Sequence, residues 1–393
     1  MIDTLVILGS SLTALAVTRD AHAHGLKSIV IDGTAGIAFK SRWVEPVLAA
    51  TSHREELLAA VSRYGGARSA LIATGDDWLR FIVAHRAAID DAFAEVFHPP
   101  NSVLETLLVK SEFSQWCRKN RLPTPRAWGA AADPSREPIE FPVLVRPNET
   151  LHSRADLGLP KAIEVRAEDE LRDWLDRFKR MGVPAFLSQS LLSERLTQYS
   201  VPFARRSGAM LSFVAQKVRP GPRECSQGSF VISTKNADVE RLGRLAAERA
   251  EYYGIGEVEI LHAPDSGRSY IIEINARPWL QYALAPATGN DFLGLMLGTI
   301  AEKRPDVRRG SKAWINLRND RIVAFSESTA SGQDSRLTFP AYLWSLARSN
   351  VYAVFDLQDP RPFLTVAAET LRRLGRRLWR VFDGGFAPLR RGS

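Results

Sequence analysis

The most informative stretch of this chain runs from Glu259 to Arg277. Glu259 lies in one apolar run, a turn follows at Asp265-Ser266-Gly267, and the next segment reads Tyr270-Ile271-Ile272-Glu273-Ile274-Asn275-Ala276-Arg277. The two apolar runs, 255–261 and 270–274, are separated by a short polar loop. That pattern predicts an antiparallel hairpin.

The hairpin predicts a group of oxygen ligands on one face. Side chains alternate along a strand, so Glu273 and Asn275 face the same way, and the hairpin can bring Glu259 across to them. A lone Glu in a strand more commonly faces solvent or pairs with a lysine, but these charges sit inside apolar runs, where unpaired burial is costly. Carboxylate and amide oxygens suit Mg²⁺, with Mn²⁺ as the alternative ion. We therefore predict a metal site at Glu259, Glu273 and Asn275.

Three segments resemble the metal-binding end of the ATP-grasp superfamily. They are Gly256-Glu257-Val258-Glu259-Ile260, Glu273-Ile274-Asn275-Ala276-Arg277-Pro278-Trp279 and Ala285-Pro286-Ala287-Thr288-Gly289-Asn290-Asp291-Phe292. Within the superfamily the chain is similar to predicted carboligases of the carboxylate-amine ligase type, which are similar to D-aspartate ligase and carbamoyl phosphate synthase large chains. The resemblance covers about residues 7–362. It implies an α/β plus α+β architecture, an ATP-grasp fold with an N-terminal Rossmann-like pre-ATP-grasp domain.

The resemblance also implies a reaction. ATP and Mg²⁺ would be the cofactors, and small-molecule carboxylates and amines the substrates. A carboxylate would be activated as an acyl phosphate and captured by an amine or similar nucleophile. Such phosphoryl transfer mainly needs charge compensation. Two other classes remain open, namely an ATP-binding regulatory protein of the same fold without ligase turnover and, more distantly, an NAD-dependent oxidoreductase.

The resemblance assigns phosphate contacts to three basic residues. Lys110, at the start of a helix, matches a lysine that approaches the nucleotide phosphates. Lys161 follows a phosphate-covering loop, here the glycine-poor segment 149–160. Arg146 stands where the family usually has a lysine, and its planar fork aligns differently from an ammonium group. Arg146 and the glycine-poor loop are the features that favour the non-ligase alternative.

The adenine contacts are assigned to the end of a strand at 185–192. Backbone groups of Ser190, Leu191 and Leu192 would read the edge of the base, and Gln189 fills a position that is often Glu in the family. A solvent-facing Gln at a strand end is an equally weighted alternative.

Arg277, Lys217 and Arg219 are the candidate catalytic residues. Arg277 is placed to hold a carboxylate or phosphate in a bidentate grip. Segment 211–219 alternates as one half-buried strand, which puts Lys217 and Arg219 on the same face. The family has a Lys-x-Arg here before a substrate-proximal loop, which corresponds to 219–228. Ordinary exposed basic side chains are the alternative for this pair.

Strands and helices alternate over the first hundred residues. Strands are predicted at 4–8, 28–32 and 69–74, and helices at 12–24 and 54–64. This alternation predicts a parallel sheet. We expect domains at 1–107, 108–300 with a hinge near 187–192, and 301–393.

Gly9 and Asp32 carry the oxidoreductase alternative, because an acid follows the first turn at a spacing seen in dinucleotide sites. The full glycine pattern is absent. Under the resemblance, Gly9, Ser10 and Asp76 would instead contribute to an acceptor pocket. A structural role for each has equal weight.

Composition and charge indicate the cellular compartment and narrow the classes of binding partner. The 393 residues include only two cysteines, Cys117 and Cys225, which suits a reducing compartment. The acidic N-terminus argues against a secretory signal, and no apolar run is long enough to span a bilayer. We expect a cytoplasmic protein. Seven arginines against one aspartate in 371–393 account for most of the net charge of +8, so nucleic-acid binding is not supported.

The C-terminal region is expected to hold strands at 314–317 and 321–325, followed by an arginine-rich amphipathic helix at 364–382. Such a helix can lie on anionic lipid. Docking on its own domain or on a partner is the slightly preferred alternative, because Gly375 interrupts the helix. A homodimer also remains open.

Overall fold

The computed structural model describes residues 1–50, 54–129, 138–149, 159–191, 196–221, 227–300, 311–325 and 337–383, with side chains up to residue 373. The sequence predictions for Leu192 and Cys225, for residues 150–158 and 222–226 of the two predicted loops, and for the arginine side chains beyond residue 373 lie outside these ranges.

A parallel sheet forms the N-terminal part of the chain. Its strands are β1 (Thr4–Leu8), β2 (Lys27–Asp32), β3 (Val44–Leu48), β4 (Gly66–Ala73) and β5 (Phe93–Val96), in the order β3-β2-β1-β4-β5. The helices beside it are α1 (Leu12–Ala23), α2 (Arg54–Ser62), α3 (Asp76–Ala84) and α4 (Arg86–Ala92). The inner strands are buried apolar runs, as expected for parallel strands that helices cover on both faces. The predicted parallel sheet is confirmed.

A smaller antiparallel sheet follows two helices, α5 (Asn101–Leu108) and α6 (Lys110–Lys119). Its strands are β6 (Ala127–Gly129), β7 (Val143–Pro147), β8 (Ile163–Val165) and β9 (Ala185–Gln189), in the order β6-β9-β7-β8. Helix α7 (Glu168–Arg180) buries Leu171 and Phe178 against this sheet. Its acidic first turn and basic last turn complement the helix dipole.

The largest sheet carries the predicted hairpin. Its strands are β10 (Thr197–Arg206), β11 (Ala209–Ser212), β12 (Val214–Arg219), β13 (Phe230–Thr234), β14 (Gly254–Ala263), β15 (Arg268–Asn275), β16 (Ala313–Ile315) and β17 (Val351–Tyr352). Within the described ranges their order is β15-β14-β10-β12-β13-β16-β17, with β11 paired to β10. The hairpin is confirmed as the antiparallel pair β14 and β15. Gly267, at a φ of 68°, supplies the left-handed turn residue between them.

The remaining helices pack around this sheet or follow it. They are α8 (Ala237–Arg249), α9 (Leu284–Ala287), α10 (Phe292–Met296), α11 (Leu317–Ala324), α12 (Phe339–Ala347) and α13 (Arg361–Asp383). Over the ranges given above, no helix is both long enough and apolar enough to cross a membrane. The predicted domain boundaries at 107 and 300 remain predictions.

Two strand predictions were wrong. Segment 211–219 is divided at Phe213, which leaves the ladder to pack its ring against Trp279 and Phe292. Segment 321–325 belongs largely to α11 instead of a strand. Asp320, Val323 and Ala324 are the buried residues of this helix, at the three- and four-residue spacing of a helical face.

His98 fastens the parallel sheet to the end of β15. The backbone N–H of Ala73 donates to His98 Nε2 at 2.6 Å, and His98 Nδ1 lies 3.0 Å from the carbonyl oxygen of Ala276. Because Nε2 accepts, Nδ1 carries the proton and donates it to Ala276. The ring is 1% exposed, and burial lowers the pKa of His98 to about 3. His98 is therefore neutral in the folded protein at physiological pH.

A second link joins α1 to the segment before α10. Nε2 of His24 lies 2.8 Å from a carboxylate oxygen of Asp291, and the same carboxylate accepts from the N–H of Gly294 and caps α10. The hydrogen bond to Asp291 raises the pKa of His24 to about 9. This pair stays ionic at neutral pH.

We predict that His98 makes stability fall in mild acid. The unfolded chain takes up a proton near pH 6.5 that folded His98 does not accept until about pH 3. Stability is therefore lost as the pH falls below 6.5, by about 1.4 kcal/mol per pH unit. Thermal melting of the wild type and His98→Gln at pH 5.5, 6.0, 6.5 and 7.0 measures this effect. The contribution of His98 is the difference between the two slopes of melting temperature against pH.

The difference between two variants removes the contributions of other titrating groups, such as Asp20 and His24. Equal slopes for the two proteins would contradict the conclusion that the His98 ring is neutral and hydrogen-bonded at both nitrogens.

Candidate functional site

Four polar side chains form a compact patch on one face of the β14–β15 hairpin. In the strand register Glu257 lies opposite Asn275, and Glu259 lies opposite Glu273. Nδ2 of Asn275 lies 3.2 Å from Glu257 Oε2 and 3.2 Å from Glu259 Oε1. The hairpin thus brings the three predicted ligands, Glu259, Glu273 and Asn275, together and adds Glu257.

The patch concentrates negative charge in a buried place. Burial and the neighbouring Glu259 raise the pKa of Glu257 to about 8, and the same two causes raise the pKa of Glu273. Such crowding disfavours ionisation unless a cation compensates it. The donors therefore fit a divalent metal ion, which prefers oxygen ligands.

Within the described ranges, no group of three or more His, Cys, Asp or Glu side chains qualifies as a metal centre. The predicted ligand set contains only two carboxylates, because its third donor is the amide of Asn275. Glu257, the third carboxylate of the patch, is engaged by Ser200 and Asn275. The strand register and the donor chemistry support a metal site at these residues, which stays a prediction.

A hydrogen-bonded chain connects Lys217 to the patch. Lys217 Nζ donates to Gln198 Oε1 at 2.7 Å, and Gln198 Nε2 donates to Glu259 Oε2 at 3.0 Å. Gln198 lies on β10, between the strands that carry the other two residues. The structure therefore brings Lys217 close to the predicted ligands through one intervening amide.

The predicted phosphate-binding residues face the same patch. Lys110 begins α6, and its backbone N–H donates to the carbonyl oxygen of Asn148, just after β7. Burial lowers the pKa of Lys110 to about 8, while Glu273 opposes this shift and Arg146 and Lys161 add to it. Lys110 thus interacts electrostatically with Glu273, Arg146 and Lys161, and Lys161 also interacts with Glu273. Arg146 also lies over the ring of Phe186, 5.4 Å from its centroid.

Arg277 is tied to the parallel sheet. Its Nε donates to Asp76 Oδ1 at 2.6 Å, and both side chains are largely buried. Burial alone would lower the pKa of Arg277, but Asp76, Glu273 and Glu257 outweigh it and hold the pKa above its usual value. A fixed cation therefore stands beside the carboxylates, and Asp76 contacts this cation within the folded chain.

Strand β9 ends at Gln189, inside the segment 185–192 that was predicted to contact adenine. Some backbone groups of this segment are hydrogen-bonded to other parts of the protein. The N–H of Gln189 donates to the carbonyl oxygen of Arg126, and the N–H of Ser190 donates to the carbonyl oxygen of Pro142 at 3.0 Å. The hydroxyl of Ser190 donates to Glu164 at 2.6 Å. The N–H of Ser190 is therefore engaged by the protein. The adenine contacts predicted for Gln189 and for the backbone groups of Ser190 and Leu191 remain predictions.

Lys217 and Arg219 do not share a face, contrary to the sequence prediction. Lys217 pairs with Val231 and Arg219 pairs with Phe230, so a bulge at Val218 lies between them. Because consecutive residues of β13 point to opposite faces, their partners do too. One extra residue has reversed the direction of Arg219.

Arg219 is instead held by a buried acid. Its Nε and Nη2 each donate to an oxygen of Asp320 at 2.7 Å, and its guanidinium lies 4.0 Å from the ring centroid of Phe230. Ser229 also donates to Asp320 at 2.8 Å. We therefore withdraw the catalytic role for Arg219 and assign it to the attachment of α11 to the sheet.

The oxidoreductase alternative loses its support at Asp32. This carboxylate accepts from the N–H of Ser10 at 2.7 Å, from the hydroxyl of Ser10 at 2.6 Å and from the N–H of Gly33 at 2.7 Å. A β-carbon on Gly36 would meet the carbonyl oxygen of Ser10 at 2.3 Å. Asp32 and Ser10 thus close the first turn of the sheet on itself.

Sequence reasoning missed Glu257, Gln198 and Asp320. Glu257 was visible, because it precedes Glu259 by two residues and therefore shares its face. Gln198 and Asp320 carry no local signal, because their partners lie 61 and 101 residues away in the sequence.

We predict that Glu273→Gln has opposite effects with and without metal. At neutral pH the raised pKa of Glu273 means that its charge costs folding free energy, so the metal-free variant should melt higher than the wild type by roughly 2 °C. Mg²⁺ with an ATP analogue should then stabilise the wild type more than the variant. Thermal melting measures both, with exposed Glu105→Gln as the control. A variant stabilised as much as the wild type would speak against Glu273 as a ligand.

We predict that Asp320→Ala lowers the free energy of unfolding by about 3–5 kcal/mol, because it leaves the Arg219 guanidinium buried without its partner. The double variant Arg219→Met/Asp320→Leu should recover much of that loss, since no uncompensated charge remains. Denaturant unfolding provides the comparison. A double variant as unstable as Asp320→Ala would refute this account of the pair.

No family model and no curated protein matches the sequence. Solved structures do match it. Carboxyaminoimidazole ribonucleotide synthase from Aspergillus clavatus, complexed with ATP, has 14% identity and a TM-score of 0.64, covering 80% of this chain and 82% of that chain. Biotin carboxylase from Campylobacter jejuni, in a β-γ-ATP complex, has 16% identity and a TM-score of 0.62, covering 80% and 75%.

An L-amino acid ligase from Bacillus licheniformis is similar as well, with 16% identity, a TM-score of 0.55 and 79% of each chain covered. At these identities the likeness establishes the fold. Together with the sheets described above, it shows that this chain has the ATP-grasp fold.

Proposed function

We propose that this chain is an ATP- and Mg²⁺-dependent carboxylate-amine ligase, which activates a carboxylate as an acyl phosphate and joins it to an amine. The observation that carries the proposal is the patch of Glu257, Glu259, Glu273 and Asn275. On an ATP-grasp fold, its carboxylates interact electrostatically with both Lys110 and Arg277.

Glu259, Glu273 and Asn275 would hold Mg²⁺ through their oxygen atoms. When bound there, the ion would supply positive charge to the phosphate oxygens during phosphoryl transfer. The crowding that raises the pKa of Glu273 would be relieved at the same time, because a cation favours its ionised form.

The basic side chains would hold the nucleotide phosphates. Lys110 is partly buried, so its charge is less screened by water than that of an exposed lysine and interacts more strongly with a phosphate. A bound phosphate would also raise the pKa of Lys110 again, because an opposite charge favours the protonated form. Arg146 and Lys161 would add charge on the same side of the cleft.

Arg277 would orient the reacting carboxylate and then stabilise the acyl phosphate. Asp76 fixes the Nε edge of its guanidinium, so the direction of the remaining N–H groups is set before substrate arrives. Lys217, linked to Glu259 by Gln198, would add positive charge next to the developing phosphate. A carboxylate oxygen of the acid would attack the γ-phosphorus and displace ADP, which gives the acyl phosphate. The amine would then attack the acyl carbon, lose a proton and displace phosphate.

The acid and amine substrates are proposed only as small molecules. An amino-acid ligase among the similar structures makes amino acids the first compounds to test. Domains at 1–107, 108–300 and 301–393, a homodimer and a cytoplasmic setting remain proposals. For membrane contact, Leu364 and Leu371 of α13 are exposed, but nothing observed assigns them to lipid.

An ATP-binding protein without turnover is the second candidate. Arg146 in place of a lysine is the observation that favours it, because the larger guanidinium already packs on Phe186 and aligns differently with a phosphate. Turnover separates the two candidates.

We predict that the wild type releases phosphate from ATP only when a suitable acid and amine are both present. A thermal-shift panel of amino acids and sugar acids, with Mg²⁺ and an ATP analogue, selects the acid. In Arg277→Lys, kcat should fall by about 10²–10³-fold, because the bidentate grip is lost. Affinity for the Mg²⁺–ATP analogue should change little.

Exposed Arg241→Lys serves as the matched control. Analogue binding without phosphate release, across the whole panel, would favour the non-ligase alternative. Phosphate release that ignores acid and amine would count against the proposed ligase.

A further inference from the structure

The amide of Asn275 has a defined direction. Its Nδ2 faces the carboxylates of Glu257 and Glu259, at 3.2 Å from each. The NH₂ group is the donor end of the amide, and here it donates to an oxygen of each of these two side chains. The oxygen Oδ1 therefore points away from them.

This direction matters because only one end of the amide can bind a metal ion. With Oδ1 directed outward, Asn275 offers a lone pair to a cation. With the amide reversed, it would present two N–H bonds and repel the ion. Among the residues the structure describes, Oδ1 of Asn275 accepts no hydrogen bond that would compete.

Glu257 is better suited than Glu259 to hold this direction. Glu259 is itself a proposed ligand, so its oxygen atoms turn toward the ion when one binds. Glu257 is 6% exposed, lies next to Ser200 and accepts from Asn275. It is not a proposed ligand, so its position does not depend on the metal.

We infer that Glu257 is a positioning residue that turns the amide oxygen of Asn275 toward the metal ion. The inference rests on the proposed function, because it assumes that Asn275 is a ligand. It assigns Glu257 no contact with the ion. Such outer partners of metal ligands typically change metal affinity by about 10–100-fold when removed.

The test compares two backgrounds. For each variant, calorimetry measures the affinity for a non-hydrolysable ATP analogue with Mg²⁺ and with a chelator. The ratio of these two affinities is the gain in analogue affinity that depends on Mg²⁺, called the gain below. Each ratio is taken within one variant, so a general loss of stability cancels. Glu257→Met should reduce the gain about tenfold, while Glu248→Met, on the exposed side of α8, should leave it unchanged.

In the Asn275→Asp background both terminal atoms are oxygens, so their order no longer matters. Adding Glu257→Met there should change the gain by less than about twofold. Equal losses in the two backgrounds would overturn the inference and make Glu257 a ligand or a general support of the hairpin. No loss in the Asn275 background would also overturn it.

The outcome also distinguishes the inference from the proposed function. A wild type whose affinity for the analogue does not respond to Mg²⁺ would refute the metal site itself, and the inference would fall with it. A clear wild-type gain that Glu257→Met leaves intact would refute the inference alone.

Discussion

Mutual repulsion among the carboxylates of the β14–β15 hairpin is the constraint to which the rest of the site responds. Glu257, Glu259 and Glu273 share one buried face, and burial together with Glu259 raises the pKa of the other two. A core gains nothing from such an arrangement, because buried like charges destabilise it. It is compatible with folding where protonation, neighbouring cations or a bound cation offset the charge.

The neighbours that offset it come from separate parts of the chain. Lys110 begins α6, which lies in the sequence between the strands of the first two sheets. Arg277 follows the hairpin and pairs with Asp76, the first residue of α3. His98 fastens the same edge to Ala276, the residue before Arg277. The N-terminal part of the chain thus holds the segment that follows β15 at two points.

Much of the fold could be predicted from local patterns. The alternation of apolar runs and helices in the first hundred residues fixed the parallel sheet, and the polar turn at Asp265-Ser266-Gly267 fixed the hairpin, because both features depend on neighbouring residues. Strand alternation predicted that Glu259, Glu273 and Asn275 share a face. The assignment of Lys110 and Arg146 to phosphate binding came from the family resemblance, because a single basic residue forms no pattern that could reveal its role.

The failures have a common physical cause. Arg219 was placed on the wrong face because an extra residue in one strand leaves no mark in the sequence, and 321–325 was read as a strand because the buried face of α11 is set by a distant arginine. Gln198 was missed for the same reason, since its two partners lie on other strands. Long-range pairing decides these features.

The bulge at Val218 has a consequence for how β12 can change through evolution. Lys217, before the bulge, is linked to the carboxylate patch through Gln198, while Arg219, after it, faces the interior and anchors α11. One strand therefore carries two separate tasks. A substitution at Lys217 can change the surroundings of the patch without loosening the attachment of α11, and a substitution at Arg219 can change that attachment without altering the patch.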